Sequence, residues 1–294
     1  MTAIDRSAFD TPGRGRGLLD VFRYHYLLRL LIGKSTSLRY RNSMLGWFWS
    51  YVRPTIQFLV YYLVVGHILG MGRRVELFPL YLFSGVVVVN LFNEAFGAAT
   101  RSIVENRALV RKIYLPRELF PIASIVGAFT HFLPQLVILL AVCVFLFGWA
   151  PSFASVGLVL GGILLVLLFV LGIGLFFAAI NVRFRDATNI VEVVRTVSTW
   201  SSPILYTWVM VSAVAENIPW LYYLYMSNPV TIAVEFFHHA FWDPVMAVAH
   251  PDQRIGWPPE MGLHTACALG VTLLSIVLGQ LVFRRLERTF AQDL

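Results

Sequence analysis

From Val156 to Ile180 the chain runs without a charged side chain. About 20 consecutive apolar residues suffice for a helix to cross the hydrocarbon core of a bilayer. In that medium every backbone N–H and C=O must be satisfied within the chain, which leaves the helix as the natural solution for a single run. The run is not isolated. Uncharged stretches also cover Leu119 to Phe147 and Leu263 to Phe283, and Glu94 is the only charge between Leu77 and Ala99. Six spans are predicted, at about 49–70, 77–99, 119–147, 156–180, 190–211 and 263–283. The 294 residues are 58% hydrophobic and 13% charged, against about 25% charged in soluble domains. The expected fold is therefore an all-α integral membrane protein. Cys143 and Cys267 both lie in apolar runs, so neither a disulfide framework nor a thiolate metal site is expected.

Six spans place both termini on one side. Lys and Arg gather in the N-terminal segment, in the polar stretch 100–118, in 181–189 and in the tail, while Arg73, Arg74 and Arg254 stand on the other side. Basic loops stay in the cytoplasm. The prediction is a multi-pass protein of a bacterial plasma (inner) membrane with both termini cytoplasmic, and the formal charge of +7 marks those loops rather than a nucleic-acid partner. Residues 1–17 read as a disordered cytoplasmic tail, and 18–294 as a single transmembrane domain. Leu18 to Ile32 is too short and too charged to span. Leu19, Phe22, Tyr26 and Leu30 share one helical face, as in an N-terminal interfacial amphipathic helix. Between spans five and six, Pro219–Met226 and Val230–Trp242 are apolar but short, and read as two outer-side re-entrant or interfacial helices.

The longest polar interruption in the first half, Ala99 to Phe120, carries Arg101, Glu105, Arg107, Arg111, Lys112, Arg117 and Glu118. Between Arg101 and Leu115 it reads as a short amphipathic helix with Val110, Ile113 and Tyr114 on one face, closed by Pro116. It is either a solvated loop or a helix that docks a soluble partner. Asn90, Asn93 and Glu94 share a face of the second span, either as interhelical hydrogen bonds or as part of a pathway. Gly33-Lys34-Ser35 imitates the end of a phosphate-binding loop, but Leu28 stands where that pattern needs glycine and the preceding segment is helical. Glu235, His238, His239 and Asp243 lie close in sequence, yet adjacent histidines diverge on a helix, so a metal site is not expected.

Aromatics cluster at Trp47, Phe48, Trp49 and Tyr51 and again at Trp200, Tyr206 and Trp208. Trp and Tyr favour the membrane–water boundary, and the same rings offer stacking faces for sugars. Both readings stay open on the residues alone.

Four segments together resemble the membrane subunit of bacterial type-2 ABC exporters for polysaccharides: RYRNSMLGWFWSYVRP before the first span, NEAFGAATRSIVENRALVRKIYLPRELFP, NVRFRD after the fourth span, and the tail FRRLERTFAQDL. The resemblance covers the chain from about residue 20 onward. It implies a homodimer with two copies of a separate ATPase, which binds ATP and Mg, so this chain needs no cofactor and is no enzyme by itself. It implies that Ser102–Leu115 is a coupling helix, with Ser102, Glu105, Asn106, Arg107, Val110, Arg111, Lys112 and Tyr114 as contacts to the ATPase. It implies that Leu18–Ile32 is an interface helix and that Pro219–Trp242 supplies outer gate helices. The implied cargo is a polyprenyl-pyrophosphate-linked glycan of O-antigen, teichoic acid or cell-wall galactan type. Trp47, Trp49, Tyr51, Trp200, Tyr206 and Trp208 match the aromatic channel lining, and Arg39 and Arg41 are candidates, on charge alone, for the pyrophosphate. The competing classes are a membrane enzyme acting on polyprenyl-linked sugars, with Asp186 and Glu192 as its nearest acidic pair, and a related permease for drugs or small lipids.

Overall fold

The computed structural model describes residues 21, 24–40, 48–112 and 115–294, with backbone only at 35–40, 50, 53 and 291. The predicted tail 1–17 lies outside them. Among the described residues the regular structure is helical, and four helices are long and apolar enough to cross a membrane. In chain order the elements are α1 (His25–Tyr40), α2 (Trp49–Tyr61), α3 (Phe78–Glu105), α4 (Arg107–Lys112), α5 (Leu119–Phe147), α6 (Phe153–Arg183), α7 (Ala187–Trp200), α8 (Trp208–Val214), α9 (Pro219–Met226), α10 (Pro229–Phe237), α11 (Asp243–Ala249), α12 (Met261–Leu286) and α13 (Phe290–Asp293). The long spans are α3, α5, α6 and α12.

Two predicted spans differ from expectation. The first is α2 continued by a wider π-helical turn, Tyr62–Ile68, so its apolar part is shorter than the other spans. The fifth is interrupted between α7 and α8. Pro203 cannot donate to the helical ladder, and the chain instead makes a tight Ile204 N to Ser202 O contact of 2.8 Å. Side chains take up freed carbonyls: the Tyr206 hydroxyl donates to Trp200 O at 2.9 Å and the Tyr81 hydroxyl to Tyr206 O at 3.0 Å. Ser202, Pro203, Ile204 and Leu205 are buried, which is the condition for irregular backbone at membrane depth. At the N-terminus, α1 runs through Gly33-Lys34-Ser35, so those residues lie within a helix; 18–20 and 22–23 of the predicted interfacial helix lie outside the described residues.

α6 is the central post, packed against α3 on one side and α12 on another, with α10 seated across α3 and α6. α3 is the most enclosed span: 72% of its apolar window is buried, against 28% for α5 and 22% for α12, which leave broad apolar faces for lipid. Small residues set the closest approaches, as membrane helices without a hydrophobic drive between them require. Gly279 of α12 lies directly on the Gly172 backbone of α6, and a methyl at Gly174 would stand 2.8 Å from Ala99 Cβ.

The apolar interior has two parts. The larger joins α3, α5, α6, α10 and the chain around Trp242. The smaller sits where α3 and α6 end, α5 begins and α12 ends, and gathers Ile103, Val110, Phe120, Leu175, Ala178, Ala179, Val182, Phe283 and Phe290. This end carries Arg101, Arg107, Arg111, Lys112, Arg117, Arg183 and Arg284. At the other end α9 and α10 form a short hairpin. Asn228 starts α10 by accepting from Val230 N at 3.0 Å, with Pro229 at the first helical position. Indole donors fasten the hairpin: Trp149 Nε1 to Ala240 O at 3.1 Å and Trp242 Nε1 to Glu76 O at 2.9 Å. α11, which follows, is a helix the sequence pattern did not suggest.

Candidate functional site

The basic elbow is not one helix. α3 continues to Glu105, the chain turns at Asn106 (φ −103°, ψ 19°), and α4 starts afresh at Arg107. The Asn106 side chain makes the break. Its Nδ2 donates back to Ser102 O at 2.8 Å, satisfying a carbonyl at the end of α3, while its backbone oxygen accepts from Leu109 and Val110 in the first turn of α4. Its Oδ1 accepts from Lys34 Nζ at 2.8 Å, which ties α1 to the elbow. The predicted continuous helix from Arg101 to Leu115 is therefore corrected to the last turn of a span plus a separate helix of six residues.

Six residues cannot hold a helix on propensity alone. α4 is held by Val110, 7% exposed, which inserts into the smaller apolar cluster among Ile103, Phe283 and Phe290. The Arg117 guanidinium lies 5.5 Å over the Phe290 ring, joining the tail to the return strand of the elbow. With Val110 inward, Arg107, Arg111 and Lys112 are exposed. Glu105 is also exposed and pairs with Arg101 at 3.3 Å across one helical turn. Such a solvent pair contributes at most about 1 kcal/mol, so it remains available to a partner. Ser102 and Val110 are buried and support this surface from beneath. Ser102 Oγ donates to Ala99 O at 2.7 Å. Tyr114 lies outside the described residues. Lys34, Phe290 and Arg117 take part in the elbow; the sequence pattern marked Lys34 only within the phosphate-loop imitation and Arg117 only as a charge of the polar stretch, and did not mark Phe290. Only the pairing of a basic side chain with a helix-ending Asn across the fold would have signalled the first.

The aromatic candidates do not converge. Trp49 and Tyr51 open α2. Trp200 closes α7, is 57% exposed, and meets Tyr61 near the end of α2 at 6.4 Å between ring centroids. Tyr206 lies in the interruption beside Tyr225, centroids 6.5 Å apart. Trp208 is turned to the outer loop, its Nε1 donating to Gly256 O at 3.1 Å. Trp47 and Arg41 lie outside the described residues, as does the side chain of Arg39. The Tyr61–Trp200 contact brings the C-terminal ends of α2 and α7 together. Their outward residues Ile56, Leu59, Val60, Leu63, Ile190, Val193 and Val197 are all exposed. The polar face of α3 makes interhelical bonds: Asn90 Nδ2 to Gln135 Oε1 of α5 at 3.3 Å and Asn93 Nδ2 to Thr199 Oγ1 of α7 at 2.9 Å. Of the acidic pair considered for enzymic work, Glu192 is engaged by Arg195 Nη1 at 2.6 Å.

Residues 26–242 match the family model described as ABC-2 type transporter. The chain belongs to the ABC-2 type transporter family. The match runs from α1 through the hairpin to Trp242, and so includes the elbow, the interrupted helix and both short outer helices. The O-antigen export system permease protein RfbA of Myxococcus xanthus is 30% identical over 187 residues, covering 64% of this chain and 70% of that protein. A protein of the same name from Klebsiella pneumoniae is 26% identical over 199 residues, covering 66% of this chain and 73% of its own length. This ABC-2 chain is a multi-pass membrane protein of a transporter.

Proposed function

We propose that this chain is the channel-forming subunit of an ATP-driven exporter of a polyprenyl-pyrophosphate-linked polysaccharide, working as a homodimer with two copies of a separate ATPase that binds ATP and Mg. The observation that carries the reading is α4: a short helix with Val110 and Leu109 packed on the inner apolar cluster and Arg107, Arg111 and Lys112 outside, set at the basic end of an ABC-2 membrane bundle. Basic loops face the cytoplasm, where a soluble ATPase is found. The names of the relatives favour a glycan of O-antigen type, with teichoic acid and cell-wall galactan in the same chemical class. The exposed apolar faces of α2 and α7, whose ends meet at Tyr61 and Trp200, suit a contact with a second copy across a translocation path. The lipid-linked glycan would enter at the inner leaflet and leave under the outer hairpin.

The test is affinity purification from native membranes of the inner membrane in mild detergent. An ABC ATPase should co-purify in equal amount with the wild type and be lost from the double variant Arg111→Glu, Lys112→Glu, while the variant keeps its yield and elution volume. A wild-type protein that purifies alone, or a double variant that retains the ATPase, overturns the assignment of α4.

A further inference from the structure

Ten buried side-chain atoms among the described residues lack a close, well-aligned hydrogen-bond partner. Seven of them lie in or beside the outer hairpin, and three of these still meet a partner, Tyr225 the Tyr206 hydroxyl, His239 the Gly256 backbone and His264 of α12 the Pro259 backbone; Tyr222 Oη, Thr231 Oγ1, Glu235 Oε1 and His238 Nδ1 are left without one. Buried polar atoms are otherwise almost all satisfied, and clusters of exceptions are met by bound water or by a ligand. Glu235 is at the centre. It is 1% exposed, it lies one turn after Thr231, and its charge is felt by Tyr81, Tyr222 and Tyr225. Its second oxygen stands 3.8 Å from His239 Nδ1, too far for a hydrogen bond, and that nitrogen meets Glu235 O at 3.1 Å instead.

Among the described residues no Lys or Arg pairs with this carboxyl. Arg254, the one Lys or Arg between 212 and 262, is taken by Asp243 in two hydrogen bonds of 3.0 and 2.7 Å. His238 is committed through Nε2 to Tyr81 O at 3.2 Å and stacks on the Tyr81 ring at 3.7 Å, while His239 stacks on Trp257 at 3.7 Å. The elements around α10 have little else to offer. α3 presents Tyr81, and the interruption presents Tyr206. α9 presents Tyr222, Tyr223 and Tyr225, and α12 presents His264 and Cys267 at its start. Glu260 lies beyond Tyr222, and α6 carries no titratable side chain from Phe153 to Val182. Ionised Glu235 would be a buried anion without a counter-charge, a costly arrangement, and the acid form is both neutral and a donor. Burial pushes this carboxyl up to about 8 and holds the His238 and His239 imidazoles below their usual range.

We infer that the hairpin encloses a hydrated proton-binding site, in which Glu235 carries the proton and the hydroxyls of Tyr222 and Thr231 with His238 Nδ1 hold ordered water around it. Its ligands are water and a proton. The site lies in the segment that closes the outer end of the bundle, so loss of the proton strains that closure and opening it to water relieves the strain. This stands independently of the ATPase and of the cargo.

The test is pH-dependent infrared difference spectroscopy on the full-length protein, with whatever subunits co-purify, in lipid nanodiscs. The wild type should show a protonated carboxylic C=O band at neutral pH that bleaches on titration well above the ordinary carboxylate range of about 4. Glu235→Gln should remove it. Tyr222→Phe, which deletes one hydroxyl and leaves the ring, should keep the band and move it to higher frequency, because a partner of the carboxyl's water has gone. The Tyr222→Phe shift and the alkaline wild-type midpoint decide the matter even where Glu235→Gln fails to assemble. A wild type without the band at neutral pH, a band that survives Glu235→Gln, or a band unmoved by Tyr222→Phe overturns the proposal.

Discussion

The crossing of α6 and α12 gives the sharpest mechanical prediction. A methyl placed at Gly279 would overlap the Gly172 carbonyl oxygen and stand 2.9 Å from the Gly172 carbonyl carbon and 3.3 Å from its Cα. Carbon atoms pack best at about 3.5–4.0 Å, so the two helices must part by something near 1 Å. The atoms in the way are backbone on a neighbouring helix, and no rotamer change relieves them. Overpacking of this kind costs about 1–3 kcal/mol, and here the upper end applies. Alanine gains back about 1 kcal/mol of helix propensity over glycine. The expected net is a loss of about 2 kcal/mol for Gly279→Ala, or a fall of roughly 3 °C in melting temperature for a chain of this size. Gly270 lies on the same helix with nothing within 4 Å of an added methyl. Gly270→Ala has only the propensity gain and should melt at or slightly above the wild type. Both variants should be followed by fluorescence-detected thermal unfolding in one detergent. If Gly279→Ala melts with Gly270→Ala, the two spans do not cross where the structure has them.

Other consequences can be checked as directly. Asn106→Ala removes the cap on Ser102 O and the partner of Lys34. It should cost about 1 kcal/mol and show as faster hydrogen exchange in 107–112 with α3 unaffected. Uniform exchange across the protein would mean that the break is set elsewhere. The raised carboxyl of Glu235 predicts a pH slope of known sign. Its folded value of about 8 exceeds the ordinary 4.5, so the folded state binds the extra proton between those values and stability is lost as pH rises through that window. The depressed imidazoles of His238 and His239 act oppositely, but only below their ordinary 6.5, where the unfolded chain takes up the protons. Between about pH 6.5 and 8 the difference in thermal stability between wild type and Glu235→Gln should therefore shrink on acidification and grow on alkalinisation; parallel curves would show that Glu235 is already ionised. Trp149→Phe leaves Ala240 O without its indole donor and should cost about 1 kcal/mol, read as loosened protection of 238–242.

The long spans were legible because hydropathy over a full bilayer thickness leaves few alternatives. α5 begins and ends where its uncharged run does, and α9 matches its short apolar piece. The misplaced boundaries have local causes that composition does not expose. Asn106 reads as an ordinary polar residue in an amphipathic window, and its role as a break depends on where its side chain turns, which Lys34, far away in sequence, helps to fix. Pro203 was visible, yet an apolar run containing proline can be a kinked span or a broken one. The difference here lies in the hydroxyls of Tyr81, from α3, and Tyr206, within the interruption, which donate to the freed carbonyls. The aromatic candidates were chosen by type. The structure separates Trp49 from Trp200 along α2 and adds Tyr61, a partner that a search for Trp-rich stretches passes over.

The elbow shows why its basic residues alone were an incomplete signal. A solvated loop and a docking helix have the same charges, so what separates them is support. Among the described residues α4 has too few residues to persist by itself, and its inner face rests on Val110, with Leu109 packed beside it. That anchor is met by Phe283 and Phe290, which come from the far end of the chain, and Phe290 is held in place by edge-on contact with Phe283 at 5.5 Å and by Arg117 above it. Lys34 reaches the same turn from α1. The first described helix, the last span and the tail thus converge on six residues. This support from three directions is what the proposed docking of a soluble ATPase on α4 would draw on.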